Sequence, residues 1–265
     1  MGISDFGEMT RLAKIAKPDT CVITNIGTCH LENLGDRDGV LKAKTEIFKY
    51  VKKNIVLNGD DDKLATIHDV YGKAPITFGM NKDNAIWADH IENRGLLGSR
   101  ADIHMGDVLV HANIPLPGEH MIYNAMAAAA VGVQFDMTKE EITAGISHVE
   151  AVAGRSHLIE AGDKVVIDDC YNANPVSMKA AIDLLATAPG RKVAILGDMF
   201  ELGENERTMH REVGQYAAEK GIDLILCVGG LSSEMYEGAA EKGGEARHFE
   251  IREALEAVLQ DLLQP

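Results

Sequence analysis

Two polar segments, each directly following an apolar run, contain the residue types best suited to ligand chemistry. They are VIDDCYNANPVSM at residues 166–178 and VAILGDMFELG at residues 193–203. In a parallel α/β sheet, ligands bind at the carboxyl ends of the strands, because the loop there leads into a helix N-terminus with free backbone N–H groups. The first segment therefore predicts acceptors for a ribose or a metal-bound phosphate, namely Asp168, Asp169, Asn172 and Asn174.

A simpler interpretation of the first segment is a strand followed by a capped helix. That interpretation needs only Asn174 as the cap and Pro175 at the first helical position. It does not account for four polar side chains within seven residues, or for the second acidic strand end that follows. The pattern therefore favours a ligand-binding site.

Three further segments agree with one protein family in their order and spacing. They are TNIGTCHLENLG (24–35) with KAKTEI (42–47), LPGEHMIYNAMAAAAVG (116–132) and AGRSHLIE (153–160). Together with the two polar segments they resemble the Mur ligases. DDCYNANPVSM and LGDMFELG are similar to the MurF branch, the UDP-N-acetylmuramoyl-tripeptide–D-alanyl-D-alanine ligases of peptidoglycan synthesis. The resemblance covers nearly the whole chain, and several co-linear motifs are more specific than any one of them.

The resemblance implies an α/β protein with two domains. Residues 1–152 correspond to the second half of a Mur ligase ATPase domain, a mixed sheet with an antiparallel extension. Residues 153–265 correspond to the Rossmann-like, doubly wound C-terminal domain. The residue pattern agrees, because short alternating runs over 74–117 predict antiparallel strands, and regular strand–helix alternation after the break at 150–155 predicts a parallel sheet.

Hydrophobic patterning also predicts the individual elements. The predicted strands cover residues 21–25, 54–57, 156–160, 165–169, 192–196, 224–228 and 246–249. The predicted helices cover residues 37–51, 61–70, 121–133, 138–148, 175–187, 206–220, 232–242 and 251–263. Thr138 and Glu141 form a capping box at the start of one of them.

His30 and Lys44 are candidates for a metal site. A single histidine at a strand end is more often structural, and Lys44 read alone is a solvated helical lysine like Lys42. The spacing of the two residues matches the Mur ligases, however, and the resemblance implies that His30 binds magnesium. A lysine is a cation and does not ligate magnesium, so the resemblance implies that Lys44 is carbamylated and supports the ion through the carbamate oxygens.

Nucleotide-binding roles follow from the resemblance for residues of three motifs. Asn124 corresponds to an asparagine that reads adenine through its amide, which carries both an acceptor and a donor pair. Met121 replaces a second amide of that motif. Arg155 corresponds to an arginine that contacts the nucleotide phosphates. Asp169 corresponds to the aspartate that binds the ribose, and the same loop places Asn172 and Asn174 near the phosphates or the incoming dipeptide.

Asp198, Glu201 and His210 belong to the pattern LGDMxELG…H, which marks the MurF branch. We assign them to substrate binding as a group and leave their individual roles open. Glu201 also suits a helix cap, and His210 also suits a satisfied surface position. Seven other histidines form no HxH or HxxxH pair, and we interpret them as structural: His68, His90, His104, His111, His148, His157 and His248.

Composition excludes several classes of protein. The formal net charge is −15 over 265 residues, which argues against nucleic acid or an anionic membrane surface as the partner. The four cysteines form no CxxC pair, so we expect reduced thiols. No apolar run approaches the ~20 residues that span a bilayer, and no signal peptide is visible. We therefore expect a cytoplasmic protein.

The sequence contains no GxxGK[ST] phosphate-binding loop. The resemblance places that loop upstream of Met1, together with a magnesium-binding glutamate, and places a further strand after Pro265. We therefore expect a fragment of an ATP- and Mg2+-dependent ligase that is inactive alone. The intact enzyme, expected to be a monomer, would join D-alanyl-D-alanine to UDP-MurNAc-tripeptide through an acyl phosphate.

Two other classes of function remain open. One is another relative, such as MurE or a folylpolyglutamate synthase, although the DNPR-like motif expected of a MurE is missing. The other is a catalytically inert fragment that binds nucleotide or serves as an interaction domain.

Overall fold

The computed structural model describes residues 2–263. The chain divides into two compact units, residues 1–150 and residues 151–265. Each unit has hydrophobic clusters of its own.

The first unit contains a six-stranded mixed sheet in which the strands follow one another in chain order. The strands are β1 (Thr20–Ile23), β2 (Asn54–Asn58), β3 (Ile76–Gly79), β4 (Ile86–Asn93), β5 (Ser99–Met105) and β6 (Val108–Ile114). Neighbouring strands are parallel from β1 to β4 and antiparallel from β4 to β6. The mixed sheet with its antiparallel extension is confirmed. The antiparallel prediction for β3 is wrong, because the long connection 59–75 returns the chain to the same end of the sheet.

Helices cover both faces of this sheet. They are α1 (Glu8–Ala16), α2 (Leu31–Leu34), α3 (Arg37–Thr45), α4 (His120–Gln134) and α5 (Lys139–Ser147). On β2, Val56 packs in the cluster with α4 and α5, whereas Ile55 and Leu57 pack in the cluster with α1 and α3. Burial of both faces explains why β2 is a continuous apolar run.

Two predicted helices of the first unit differ from the structure. The helix predicted over 37–51 ends at Thr45 and continues as a 3-10 turn, Glu46–Tyr50. The helix predicted over 61–70 is wrong, since only the 3-10 turn Leu64–Thr66 forms there. Asp61 caps the start of this turn, because its carboxylate accepts from the N–H groups of Lys63 and Leu64. The turn ends at Ile67, where the backbone is extended, so the predicted helix does not continue.

The second unit begins with an antiparallel pair, β7 (His157–Ala161) and β8 (Lys164–Asp168), which forms a separate two-stranded sheet. A parallel three-stranded sheet then forms from β9 (Val193–Gly197), β10 (Leu224–Val228) and β11 (Ala246–Phe249), with β10 in the centre. The connecting helices are α6 (Pro175–Ala186), α7 (Glu206–Glu219), α8 (Ser233–Glu241) and α9 (Arg252–Leu262).

These helices lie on both faces of the parallel sheet. Ile225 and Cys227 of β10 face the cluster that contains residues of α6, α7 and α8. Leu224 and Leu226, which point the opposite way, pack with Leu255 and Leu262 of α9. The alternation of side chains along β10 therefore buries both faces of its sheet, and the expectation of a doubly wound unit is confirmed.

Local capping agrees with the sequence signals. The hydroxyl of Thr138 accepts from the N–H of Glu141, and the Glu141 carboxylate accepts from the N–H of Thr138. Within residues 2–263, no helix combines the length and the apolar character that crossing a bilayer requires.

We predict that limited proteolysis cuts within residues 150–155 and leaves a protected C-terminal piece. The physical reason is that this segment joins two separately packed units, and chain between such units is where proteases gain access. Mass spectrometry of the first cleavage products checks the site. Initial cleavage inside the strand–helix units, with residues 150–155 left intact, would contradict the boundary.

Candidate active site

In the first unit, the candidate site is the segment that follows β1, residues 24–30, here called the β1 loop. Two side chains hold its backbone at Ile26. The Asp61 carboxylate accepts from Ile26 N at 2.8 Å, and Arg37 Nε donates to Ile26 O at 2.8 Å. The loop is therefore fixed from both sides at the carboxyl end of a parallel strand.

Both predicted metal-site residues are at the β1 loop. Lys44, on α3, donates from Nζ to the backbone oxygen of Asn25 at 3.0 Å. His30 ends the loop directly before α2 and has the left-handed backbone conformation φ 58. Lys42 instead extends over the ring of Phe6, with Nζ 5.4 Å from the ring centroid. The structure thus distinguishes the two lysines that the sequence left similar.

The hydroxyl oxygen of Thr28, also in the β1 loop, is buried and has no hydrogen-bond partner among the described residues. A buried hydroxyl without a partner carries a desolvation cost of about 1–3 kcal/mol. A polar ligand group at this loop would remove that cost.

The predicted adenine residue Asn124 lies exposed in the first turns of α4, and its amide nitrogen is 3.4 Å from Met121 Sδ. The adjacent Tyr123 donates from its hydroxyl to Asp60 Oδ2 at 3.1 Å. Burial, followed by the Asp60 carboxylate, raises the pKa of Tyr123 to about 12, so the phenol remains a donor. This bond ties the start of α4 to the end of β2.

Sequence analysis missed the polar run that begins at the last residue of β2, NGDDD at residues 58–62. Besides the roles of Asp60 and Asp61, Asn58 donates to Thr24 O at 3.0 Å. The signal was present, since an acidic cluster directly after an apolar strand is the pattern that identified residues 168–174. Its function here is to hold the β1 loop and α4 in position.

In the second unit, two loops are joined by the carboxylates at the end of β8. Asp168 Oδ2 accepts from Gly154 N at 2.9 Å, and Asp169 Oδ1 accepts from Ser156 N at 2.9 Å. The thiol of Cys170 and then the N–H of Gly154 lower the pKa of the Asp168 carboxyl, which keeps it ionised. The two predicted motifs, AGRS and DDCYNAN, are therefore adjacent in space.

Arg155 is exposed and its guanidinium lies over the ring of Tyr171, 4.2 Å from the centroid. Tyr171 lies two residues after Asp169, the predicted ribose residue. The contact therefore holds the arginine against the loop that carries Asp169. Asn172 is also exposed. Asn174 caps α6, because its Oδ1 accepts from the N–H groups of Val176 and Ser177 at 3.0 and 2.9 Å. The simpler interpretation of Asn174 as a helix cap is thus seen in the structure.

The third predicted group follows β9. Asp198 Oδ1 accepts from Ser232 N at 2.7 Å, and Glu201 is exposed with φ 61. His210 is completely buried: Nε2 accepts from Met199 N at 2.9 Å, and Nδ1 lies 2.7 Å from Glu206 O. Both ring nitrogens therefore bind backbone, and His210 holds the loop after β9 against α7.

Two family models match this chain. The Mur ligase middle domain matches residues 1–132, and the Mur ligase, glutamate ligase domain matches residues 154–265. This chain belongs to the Mur ligase family.

Relatives of this Mur ligase chain include two UDP-N-acetylmuramoyl-tripeptide–D-alanyl-D-alanine ligases. The one from Bacillus subtilis (strain 168) is 35% identical over 98% of the chain, and the one from Escherichia coli (strain K12) is 33% identical over 96%. A crystal structure of MurF from Acinetobacter baumannii matches 100% of the chain with a TM-score of 0.92 and 31% identity.

A MurF ligase from Thermotoga maritima, solved in complex with ADP, matches 98% of the chain with a TM-score of 0.82 and 25% identity. The Mur ligase chain described here spans 56–58% of the length of these four relatives.

Proposed function

We propose that this chain supplies the middle and C-terminal regions of a MurF-type ligase, with a partial ATP-binding domain at residues 1–152 and the C-terminal domain at residues 153–265. Such a ligase joins D-alanyl-D-alanine to UDP-MurNAc-tripeptide at the expense of ATP. The observation that carries the proposal is agreement with MurF proteins along 98% of the chain in sequence and 100% in structure.

The reaction must bring together several anions. The tripeptide carboxylate is phosphorylated first, and the dipeptide amine then attacks the acyl phosphate and displaces phosphate. When bound, ATP and Mg2+ supply the phosphoryl group and offset the negative charge between the reactants. The protein has to position these groups and to provide fixed dipoles. In each unit, loops held by hydrogen bonds at strand ends are suited to this role.

The residues at the β1 loop suit a magnesium ion only if Lys44 is modified. Mg2+ takes oxygen ligands, and the ammonium of Lys44 carries the wrong charge. A carbamate on Lys44 would offer two oxygens next to the β1 loop, where the hydroxyl of Thr28 also lies without a partner among the described residues. We therefore assign Lys44 as a carbamate, with His30, to the metal site.

For the nucleotide, we assign Asn124 to adenine, Asp169 to the ribose and Arg155 to the phosphates. Asn172, exposed on the loop of Asp169, is assigned to the phosphates or the dipeptide. Asn174 shapes that loop by capping α6.

We assign Asp198 and Glu201 to the dipeptide side of the reaction. His210 acts as a positioning residue for the loop that carries them, because its ring is buried and bonded to backbone at both nitrogens.

We predict that the isolated chain does not turn over ATP at the rate of an ordinary ligase, because its sequence has no GxxGK[ST] loop to cradle the phosphates. Phosphate release is measured with tripeptide precursor and D-alanyl-D-alanine, first for the chain alone and then for the chain preceded by the region of its relatives that it does not cover. Activity is expected only in the second case. Turnover by the chain alone on the order of 1 per second or more would contradict the prediction.

The same assay separates the rival ligases. With the tripeptide precursor, the extended protein should accept D-alanyl-D-alanine and not a single amino acid. A preference for one amino acid on a dipeptide precursor would indicate a MurE-type ligase, and glutamate addition to a folate would indicate a folylpolyglutamate synthase. Absence of all three activities in the extended protein would favour an inert binding domain.

A further inference from the structure

Five metal-ligating side chains converge on the outer face of the antiparallel part of the first sheet. The inner face of β4, β5 and β6 is buried against α4 and α5. On the outer face, register places Asp89 opposite Asp102 and Asp102 opposite His111, while the neighbouring row pairs Trp87 with His104. None of these residues belongs to the motifs of the candidate active site, and sequence spacing alone does not bring them together.

Asp89 and Asp102 bring two negative charges close together, and a bound cation would offset their repulsion. Like charges directly opposite one another on antiparallel strands destabilise a sheet. Here Asp89 and Asp102 are cross-strand partners, and both are partly buried, with side-chain exposures of 38% and 22%.

His90 completes a set of three donors. A register shift after Asp89 turns His90, with φ 46, towards the aspartates. Its Nδ1 lies 3.1 Å from Asp89 Oδ1 and 3.1 Å from Asp102 Oδ2. Ligands about 2.0–2.1 Å from a tetrahedral zinc ion are separated by roughly 3.3 Å, so these separations are already close to those of a coordinated ion.

Two more histidines orient the carboxylates. His104 Nε2 lies 2.9 Å from Asp89 Oδ1, and its ring stacks on Trp87 with the centroids 3.7 Å apart. His111 Nδ1 lies 2.6 Å from Asp102 Oδ1, the oxygen that does not face His90. Carboxylates that ligate a metal are generally held by further hydrogen bonds, and these two histidines supply them here.

We propose that Asp89, His90 and Asp102 bind one divalent transition-metal ion of the zinc class, with His104 and His111 as positioning residues. The mixed nitrogen and oxygen donors favour zinc or cobalt over magnesium, which prefers oxygen alone. Two carboxylates balance the charge of the ion, and three protein ligands leave a position for water. By joining β4 and β5, the ion stabilises the antiparallel extension of the sheet. This site is independent of the ligase reaction.

The test uses the tag-free 265-residue chain after removal of metal with a chelator. Co2+ is titrated and followed by visible absorption, and Zn2+ by calorimetry. We expect one ion per chain with a nitrogen and oxygen ligand spectrum, and a melting temperature that rises with Zn2+. Absence of saturable binding at millimolar metal, or a thiolate-to-cobalt charge-transfer band that accounts for the bound ion, would overturn the proposal.

Two variants locate the ion. Asp102→Asn removes a charged ligand, and His90→Asn removes the imidazole while keeping a residue that tolerates positive φ. Each should raise the dissociation constant by about tenfold or more, because even outer residues of metal sites contribute that much. His90 is 77% exposed, so His90→Asn should fold even if Asp102→Asn does not. His68→Asn is the matched control at an exposed histidine and should bind as the parent does. Unchanged affinity in His90→Asn would overturn the assignment.

Discussion

Lys44→Ala should abolish most of the activity of the extended ligase, which is this chain preceded by the region of its relatives that it does not cover, without unfolding it. We expect turnover to fall about 100- to 1000-fold, the range seen when one electrostatic group of an active site is removed. The proposed carbamate would otherwise hold a magnesium ion against the anionic reactants. Folding should change little, since the structure gives Lys44 one hydrogen bond, to Asn25 O, worth about 1 kcal/mol. Phosphate release and a thermal melt measure the two effects.

Three comparisons separate the carbamate from other roles of Lys44. Lys42→Ala on the same helix should behave as the parent, because Lys42 extends over Phe6 and away from the β1 loop. Lys44→Arg keeps the positive charge but forms no carbamate, so it should be as inactive as Lys44→Ala. A short carboxylic acid such as acetate should partly restore Lys44→Ala by supplying an oxygen pair. Full activity in Lys44→Arg would show that the cation itself is required, and full activity in Lys44→Ala would remove the residue from the metal site.

Gly214→Ala should destabilise the second unit by about 3 kcal/mol, although alanine is the better helix former by about 1 kcal/mol. Gly214 lies in α7, and a Cβ there would stand 1.9 Å from the backbone oxygen of Met235 in α8. Gly238 of α8 faces the backbone of Arg211 in the same way, with 2.1 Å to its oxygen. The two helices therefore touch backbone to backbone, and no side chain can yield to relieve the overlap.

Gly145→Ala provides the matched control for Gly214→Ala. Gly145 also lies within a helix, α5, but a Cβ there meets no atom within 4 Å. Its replacement should leave stability unchanged or raise it by up to about 1 kcal/mol. Urea unfolding followed by circular dichroism compares both variants with the parent. A Gly214→Ala variant as stable as the parent would contradict this prediction. It would mean that α7 and α8 can move apart to admit the methyl group with little loss of free energy.

Most of the fold was predictable because its elements are coded by local patterns. The alternation after residue 155 has one strand or helix for each apolar run, and strand β10 and strand β11 match their predictions residue for residue. The capping box of Thr138 is likewise local. The helix predicted at 61–70 failed because the local pattern does not show where the backbone leaves the helical conformation. Asp61 caps a turn, and the backbone is extended again at Ile67. The same carboxylate also accepts from Ile26 N, 35 residues away in the chain.

For the predicted site residues, the sequence indicated the position of each side chain but not its hydrogen-bond partners. Sequence motifs led to Lys44 and Asp169. In the structure Asp169 directly follows β8, and Lys44 lies on α3 with its Nζ bonded to the loop after β1. The motifs did not show that His210 is buried against backbone or that Asn174 caps α6. A side chain that binds a ligand and one that holds a loop look alike in sequence, because both are polar residues at a strand end. Only the hydrogen-bond partners distinguish them.

By itself, the sequence determined the family and the two-unit order, and it predicted the segments for ligand chemistry, because these depend on residue types at short, ordered spacings. The tertiary structure alone decided which side chains meet across strands. Asp89, Asp102 and His111 lie on three successive strands and have no metal-ligand spacing in the sequence, yet strand register makes them neighbours. The tertiary structure also explains Gly214 of α7 and Gly238 of α8. In the sequence they are only poor helix formers, but the packing of the two helices leaves no room for a Cβ at either position. Register and helix crossing arise from the packing of the whole unit, which no local pattern encodes.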